Sequence, residues 1–252
     1  MSKWTKFPHE QTDITYLGDT LKKNWAALHK GDTEPYPKDA NLQEAWRQYH
    51  AGNFAEAAVL GRDHVVAARA TAIYATYLEK REPAKIKLFM EAMELADTLR
   101  NENAQDINAH YQYAYAAGRY SQSISVIKAL KDGYGGKIKA ALEAVLKLND
   151  KHAEAHTAMG AYHAEIIDKV GALVGKLTYG ANKDVAITHY EKAIKLTPQS
   201  PIAHIEYANG LLMLFGDKEM DRATQLYEKA AQMTPRDAME VLDIEMAKEE
   251  LA

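Results

Sequence analysis

Apolar residues along this chain return at intervals of three and four, and hardly anywhere at intervals of two. In Ile14–His29 the residues Leu17, Leu21, Trp25 and Leu28 fall on one helical face, with Asp13 placed to cap the start and Gly31 the end. The stretch GDTEPYPKDAN then reads as a loop. From Leu42 onward the spacing predicts helices at about 41–51, 54–80, 84–100, 104–117, 120–132, 135–148, 153–173, 183–196, 200–215, 219–233 and 236–250. Short breaks such as AGNF, REPA, AGRY, DGYGG, TYGANK and TPQSP separate them. The 54–80 stretch is long for one helix and reads either as one or as two, bent near Val65–Arg69. No strand is predicted.

One phrase is written twice. AITHYEKAIKLTP and ATQLYEKAAQMTP share the form A-x3-Y-E-K-A-x4-P, and Tyr190 and Tyr227 stand 37 positions apart, as do Ala186 and Ala223, Ala193 and Ala230, Pro198 and Pro235. Ala186, Tyr190, Ala193 and Ile194 share a face on which small alanines admit a neighbouring helix and the tyrosine fills the gap. Proline ends each unit because it cannot continue a helix. Ahead of each phrase lies a second stripe: His156, Met159, Gly160 and His163 in one case, His204, Tyr207, Ala208 and Leu211 in the other.

This pattern resembles the tetratricopeptide repeat, whose helix pairs carry W-x2-L-G-x2-Y, then A-x3-F/Y-x2-A, then P. His156 and His204 stand at the tryptophan position, and Gly160 and Ala208 at the glycine. The first of these units is about 14 residues longer between its helices than the ordinary repeat of about 34. Upstream, AGNFAEA and AGRYSQS resemble the turn within a helix pair, and KLFMEAMELAD resembles the second helix. More loosely, the inserted unit followed by YGANKDVAITHYEKAI resembles two divergent families: a helical periplasmic component of certain bacterial transporters, and the regulator-of-microtubule-dynamics type.

The expected fold is therefore all-α, a right-handed superhelix of antiparallel helix pairs, a tetratricopeptide-like solenoid. An amino-terminal arm with one amphipathic helix is expected at 1–38. The repeat domain follows at 39–252, clearest at about 153–198 and 200–235, with a capping helix at about 236–250 that shields the end of the stack.

Composition changes this picture little. The chain has 252 residues, 47% of them hydrophobic, and a formal net charge of −4, so no basic face for nucleic acid is implied. Only 14 glycines and 7 prolines punctuate it, which favours helices. Cysteine is absent, which removes disulfides, thiolate zinc sites and a cysteine nucleophile. No stretch reaches the roughly 20 apolar residues of a membrane helix, and no apolar amino-terminal core of signal-peptide type is present. A cytoplasmic protein without membrane insertion is expected.

Candidate chemistry is sparse. DGYGGKIKAAL sets glycines and a lysine before a helix but is not a P-loop, which needs G-x4-G-K-[ST]. His152 and His156 are four apart and His156 and His163 seven, yet H-E-x-x-H is absent, and His156 and His163 occupy repeat core positions; no metal and no cofactor are expected. No G-x-S-x-G or other catalytic motif appears, so a non-catalytic protein is expected. Tyr111 and Tyr115 share a face and read either as packing residues or as an aromatic ledge for a peptide.

The resemblance implies a scaffold or adaptor that binds a protein or peptide in the concave groove. By position in the repeat, Thr157, Ala161 and Glu165 would face the groove from one unit, and Ile205, Glu206, Asn209 and Met213 from the next. Asn209 would either fix a peptide backbone through its amide or be an exposed polar residue. The lysine and arginine of a carboxylate clamp are missing from these positions, with Glu165 and Glu206 in the groove instead, so a neutral or basic segment suits it better than an acidic tail. The alternative is a small-molecule or ion binder whose pocket is roofed by the insertion 164–182, which reads otherwise as an extension of the first helix packed on the stack. Self-association stays open, through Trp25 and Leu28 on the arm, residues that could equally cover the first repeat.

Overall fold

Fourteen α-helical segments order the described residues of the computed structural model, which are 4–9 and 14–252. They are α1 (Thr20–Leu28), α2 (Ala40–His50), α3 (Phe54–Leu60), α4 (Val65–Tyr77), α5 (Glu82–Glu102), α6 (Ile107–Ile124), α7 (Val126–Lys131), α8 (Tyr134–Leu148), α9 (Ala153–Val170), α10 (Ala172–Val174), α11 (Lys183–Leu196), α12 (Pro201–Phe215), α13 (Met220–Ala231) and α14 (Ala238–Glu250). A π-helical turn at Gly175–Tyr179 follows α10, and a 3-10 turn at Gly216–Glu219 follows α12.

Side-chain caps set several starts. Asp39 accepts from the Leu42 amide, Asp106 from Ala109, Asn182 from Asp184 and Val185, and Asp237 from Glu240. Proline in the first turn starts α5 and α12, where its missing N–H is not needed.

The helices stack as antiparallel pairs: α2 with α3, α4 with α5, α6 with α8, α9 with α11 and α12 with α13. Tyr190 shows why the repeated phrase works. Its ring is buried, stacks on Tyr207 at 5.1 Å, and lies against two glycines. A Cβ at Gly160 would sit 2.8 Å from that ring, and one at Gly210 would overlap it as well. The glycines are therefore what lets α11 touch both α9 and α12.

The 54–80 stretch is two helices, broken at 61–64, where Gly61 packs under Val66. Other boundaries differ from the sequence expectation. The first helix begins at Thr20, not at Ile14, because Tyr16 and Gly18 take left-handed backbone; Leu17 lies before it and is exposed. Its end falls at His29 instead of Gly31, and Asp13 lies outside the described residues. The AGRY break does not exist: α6 runs through Gly118 to Ile124, and the chain turns at Ser125, where φ is 93°. Ser121 and Ser123 donate to the carbonyls of Ala117 and Arg119, four residues earlier in the same continuous helix. In place of a helix to residue 173, α9 stops at Val170, and Gly171 turns the chain.

Residues 14–38 share the core of α2–α5. Ile14, Leu21 and Trp25 are buried there, and Trp25 donates to the Glu34 carbonyl at 2.7 Å. Trp4 stacks on Tyr74 at 4.3 Å. Trp25 and Leu28 thus cover the first helices. At the other end α14 does not merely shield the last pair. It packs on α12 and α13 and also reaches α2, and Ala238 and Leu242 join the amino-terminal core. Tyr16 donates to the Arg236 carbonyl and Arg236 to the Ala27 carbonyl, so the two ends of the chain touch.

Substituting Gly210 with alanine should destabilise the protein by about 1–3 kcal/mol, because the buried Tyr190 ring has nowhere to move. Urea unfolding of Gly210→Ala beside wild type measures this; equal midpoints would contradict the packing described.

Candidate functional site

The first helices of successive pairs converge on one cavity of about 130 Å³, room for about four waters. From α4 come Arg69, Ile73 and Tyr77, and from α6 come Tyr111, Tyr115 and Arg119. Thr157, Ala161, Glu165 and Ile166 line it from α9, Ile202 and Glu206 from α12, and Met239 and Asp243 from α14. Leu130 and Leu142 close the α7–α8 side.

Two guanidiniums organise its charges, Arg69 buried and Arg119 partly exposed. Arg69 binds both oxygens of Glu154 at 2.8 and 2.9 Å, lies 3.3 Å from Asp32, and donates to the Tyr49 hydroxyl at 2.9 Å. Arg119 pairs with Glu206 at 2.9 Å and lies over the Tyr115 ring. Behind Arg69 runs a row of buried side chains: His29 Nδ1 meets Asp32 at 3.0 Å, His29 Nε2 meets His50 Nε2 at 3.2 Å, and His50 Nδ1 meets Asp237 at 2.9 Å. A contact between two Nε2 atoms needs one proton and one lone pair. Burial disfavours the charged form of His50, while the imidazole beside Asp237 holds that carboxyl below its usual range. Glu34 is pushed up to about 8 by burial and by Asp32, and it accepts from the Asn108 amide.

On α14, Asp243 is fully buried. The Tyr77 hydroxyl donates to its Oδ1, and Oδ2 has no hydrogen-bond partner among the described residues. Burial, and then the carboxylates of Glu240 and Asp237, raise Asp243 well above the usual carboxylate range. Glu165 is raised too, by burial first and then by Glu206, against a lowering hydrogen bond from Gln122.

Of the groove residues expected from the repeat, Thr157, Ala161, Glu165 and Glu206 line this cavity together, with Tyr111 and Tyr115 at a centroid distance of 6.3 Å. Three others do not. Ile205 is 0% exposed, packed with Ala208 and Ala247, because α14 covers a face that an open solenoid would leave free. The Asn209 side chain accepts a hydrogen bond from the Tyr227 hydroxyl, and so is engaged by its own repeat. Met213 is partly exposed and lies outside the cavity. The insertion 164–182 is no roof: only Glu165 and Ile166 from it reach the cavity, both on the extended α9. Its remainder folds back on α9, where the Tyr179 carbonyl accepts from Tyr162, touches α8 at Gly135, and leaves Leu173 and Leu177 exposed.

The sequence pattern does not single out Arg69, Arg119 or Asp243. Arg69 is a lone charge in the apolar run VVAARATAIY, and Asp243 shares a helical face with Met239 and Ala247. A charge set into an apolar stripe is buried only when paired or bound, and that is the available signal.

The histidines have short-range work. His152 caps α9 through Nδ1 and meets Asn108 with Nε2. Its partner in the sequence pair, His156, lies against His189 and the Asp150 carbonyl. Among the described residues, no cluster of three or more histidines and acids has the geometry to hold a metal ion. Burial lowers His163 and His189 to about 4.

The comparisons with known proteins agree with this architecture. A solved structure of a thermophilic tetratricopeptide-repeat protein from Thermus thermophilus superposes with a TM-score of 0.57 at 19% identity, covering 83% of this chain and 97% of that one. The protein is thus an all-α, tetratricopeptide-like solenoid. Residues 61–251 match the family described as regulator of microtubule dynamics protein 1-3, and the chain belongs to that family. Among curated proteins no relative matches. Among the described residues no helix is long and apolar enough to cross a membrane.

Two tests follow from the site. Arg69→Met leaves the buried Asp32 and the half-buried Glu154 without this cation, and should lower stability by about 3 kcal/mol in denaturant titration. His163 and His189 are held below the unfolded value of about 6.5, so the stability they support is complete above that pH and is lost as the pH falls toward 4. Thermal melts of wild type and His163→Phe across this window should show the smaller acid loss in the variant.

Proposed function

We propose that this protein is a non-catalytic scaffold that holds a protein or peptide segment against its concave face. The contact wall is Thr157, Ala161, Glu165 and Glu206, with Tyr111 and Tyr115 as an aromatic ledge beneath it. The observation that supports this reading is the convergence of α4, α6, α9 and α12 on one cavity with apolar walls and a charged rim. Stacked helix pairs offer such extended inner surfaces to partners. Tyrosine there gives large contact area at small entropic cost. The family's name speaks of regulating microtubule dynamics, an action on a protein polymer, which agrees with a protein-binding groove. A small-molecule reading is favoured by one feature alone, the cavity volume of about 130 Å³.

Ala161→Arg fills the wall with a long side chain at a half-buried position. A peptide selected on the wild-type protein from a random library should lose at least about tenfold in affinity for the variant, while the melting temperature changes little. Undiminished binding would place the peptide elsewhere on the protein.

A further inference from the structure

The insertion after α9 carries an apolar tip that the protein leaves uncovered. Leu173 is 72% exposed, Val174 49% and Leu177 77%. On the helical backbone of α10 and the π-helical turn behind it, Leu177 follows Leu173 by four residues and Val174 by three, so the three side chains adjoin. The turn itself is held. Gly175 is buried against Ile166 and Ile167 of α9, its carbonyl accepts from the Ala181 amide at 3.0 Å, and the Tyr179 carbonyl accepts from the Tyr162 hydroxyl at 3.2 Å. A contiguous apolar patch on a held turn marks a contact surface. Lysines surround this one. Lys176 lies inside the turn, and Lys139 Nζ is 3.4 Å from the Tyr179 carbonyl. Lys137 stands in the first turn of α8, two residues after the Gly135 that packs on Tyr179. Lys169 pairs with Asp168 and Lys139 lies 3.9 Å from Glu143, whereas Lys137 and Lys176 form no ion pair among the described residues. Residues 128–143 and 168–184 together hold seven lysines against four acids, in a chain whose net charge is −4.

We propose that this tip docks the protein on an anionic lipid bilayer, with Leu173, Val174 and Leu177 entering the headgroup region and the surrounding lysines meeting lipid phosphates. The inference does not rest on the groove reading, because these three side chains lie outside the cavity. Such attachment is shallow and uses no spanning helix. At physiological salt a bilayer surface senses charge within about 10 Å, so the local surplus of lysine counts and the negative total of the chain does not. A second copy fits the tip poorly, since two such surfaces would bring like charges together. A folded protein partner fits poorly too: a specific interface takes about 800 Å² from each side, far more than three side chains on one turn supply. A bilayer admits a small tip, because a few inserted apolar groups and the attraction of lysines to anionic headgroups add to one another.

Cosedimentation of the whole chain with two sets of vesicles tests this, one of phosphatidylcholine alone and one with about 30 mol% phosphatidylglycerol added. Wild type should bind the anionic vesicles at least about tenfold more tightly than the neutral ones, and salt at about 0.5 M should weaken that binding. The double variant Leu173→Ser/Leu177→Ser should lose about tenfold on anionic vesicles at an unchanged melting temperature, since both side chains are exposed in the fold. Lys137→Glu/Lys176→Glu should lose about as much on anionic vesicles and little on neutral ones. Absence of binding to either vesicle, or equal binding to both, overturns the proposal. Anionic binding that survives the leucine variant overturns it as well, by placing the contact elsewhere on the surface. Dimers in sedimentation velocity without lipid, abolished by the leucine variant and found where vesicles do not bind, assign the tip to a second copy and overturn the bilayer.

Discussion

A single buried guanidinium sets the terms for the inner face of this protein. Arg69 projects from α4 where a solenoid of apolar side chains would be simpler, and it is met by Glu154 of α9, Asp32 of the loop after α1, and Tyr49 of α2. None of these groups tolerates burial without the others. Elements far apart in sequence must therefore arrive together, and the curvature of the stack between α4 and α9 is tied to the reach of one side chain. Replacing the whole cluster by hydrocarbon could be as stable. What the ionic version adds is direction, since a bidentate pair fixes orientation as well as distance.

The repeat unit is legible because its code is local. Tyr190 needs small residues opposite, and Gly160 stands at the repeat's small position in the sequence, so periodicity alone locates the helix contact. The path of α6 is not legible in the same way. Gly118 looks like a turn residue, but nothing forces a turn there, and the helix continues with two serines bonded to its own carbonyls. The arm reads as separate because its loop is rich in proline and charge. Asp32 and Glu34 of that loop are buried through partners contributed by α4, α6 and α1, which no local pattern reveals.

The candidate site divides along the same line. Thr157, Ala161, Glu165 and Glu206 are reached by counting positions in a repeat, and they meet around one cavity. Counting fails for Ile205, because it presumes an inner surface open along its whole length, and α14 covers this part. Polar groups of the cavity wall also come from outside the repeat code: Asp243 from the last helix, Arg69 and Arg119 from units too degenerate to align.

The meeting of the two ends, Tyr16 and Ala27 with Arg236 and His50 with Asp237, changes what kind of mechanical object the stack is. An open solenoid behaves as a spring: each unit leans on its neighbours, and small rotations add up along the axis. Clasping the first turn to the last helix makes a hoop, in which a twist at one unit is resisted by every other. The softest bending mode is removed, and the width of the inner face stops being an adjustable quantity. Any occupant of the inner face would have to fit the hoop as it stands, or open the clasp before entering.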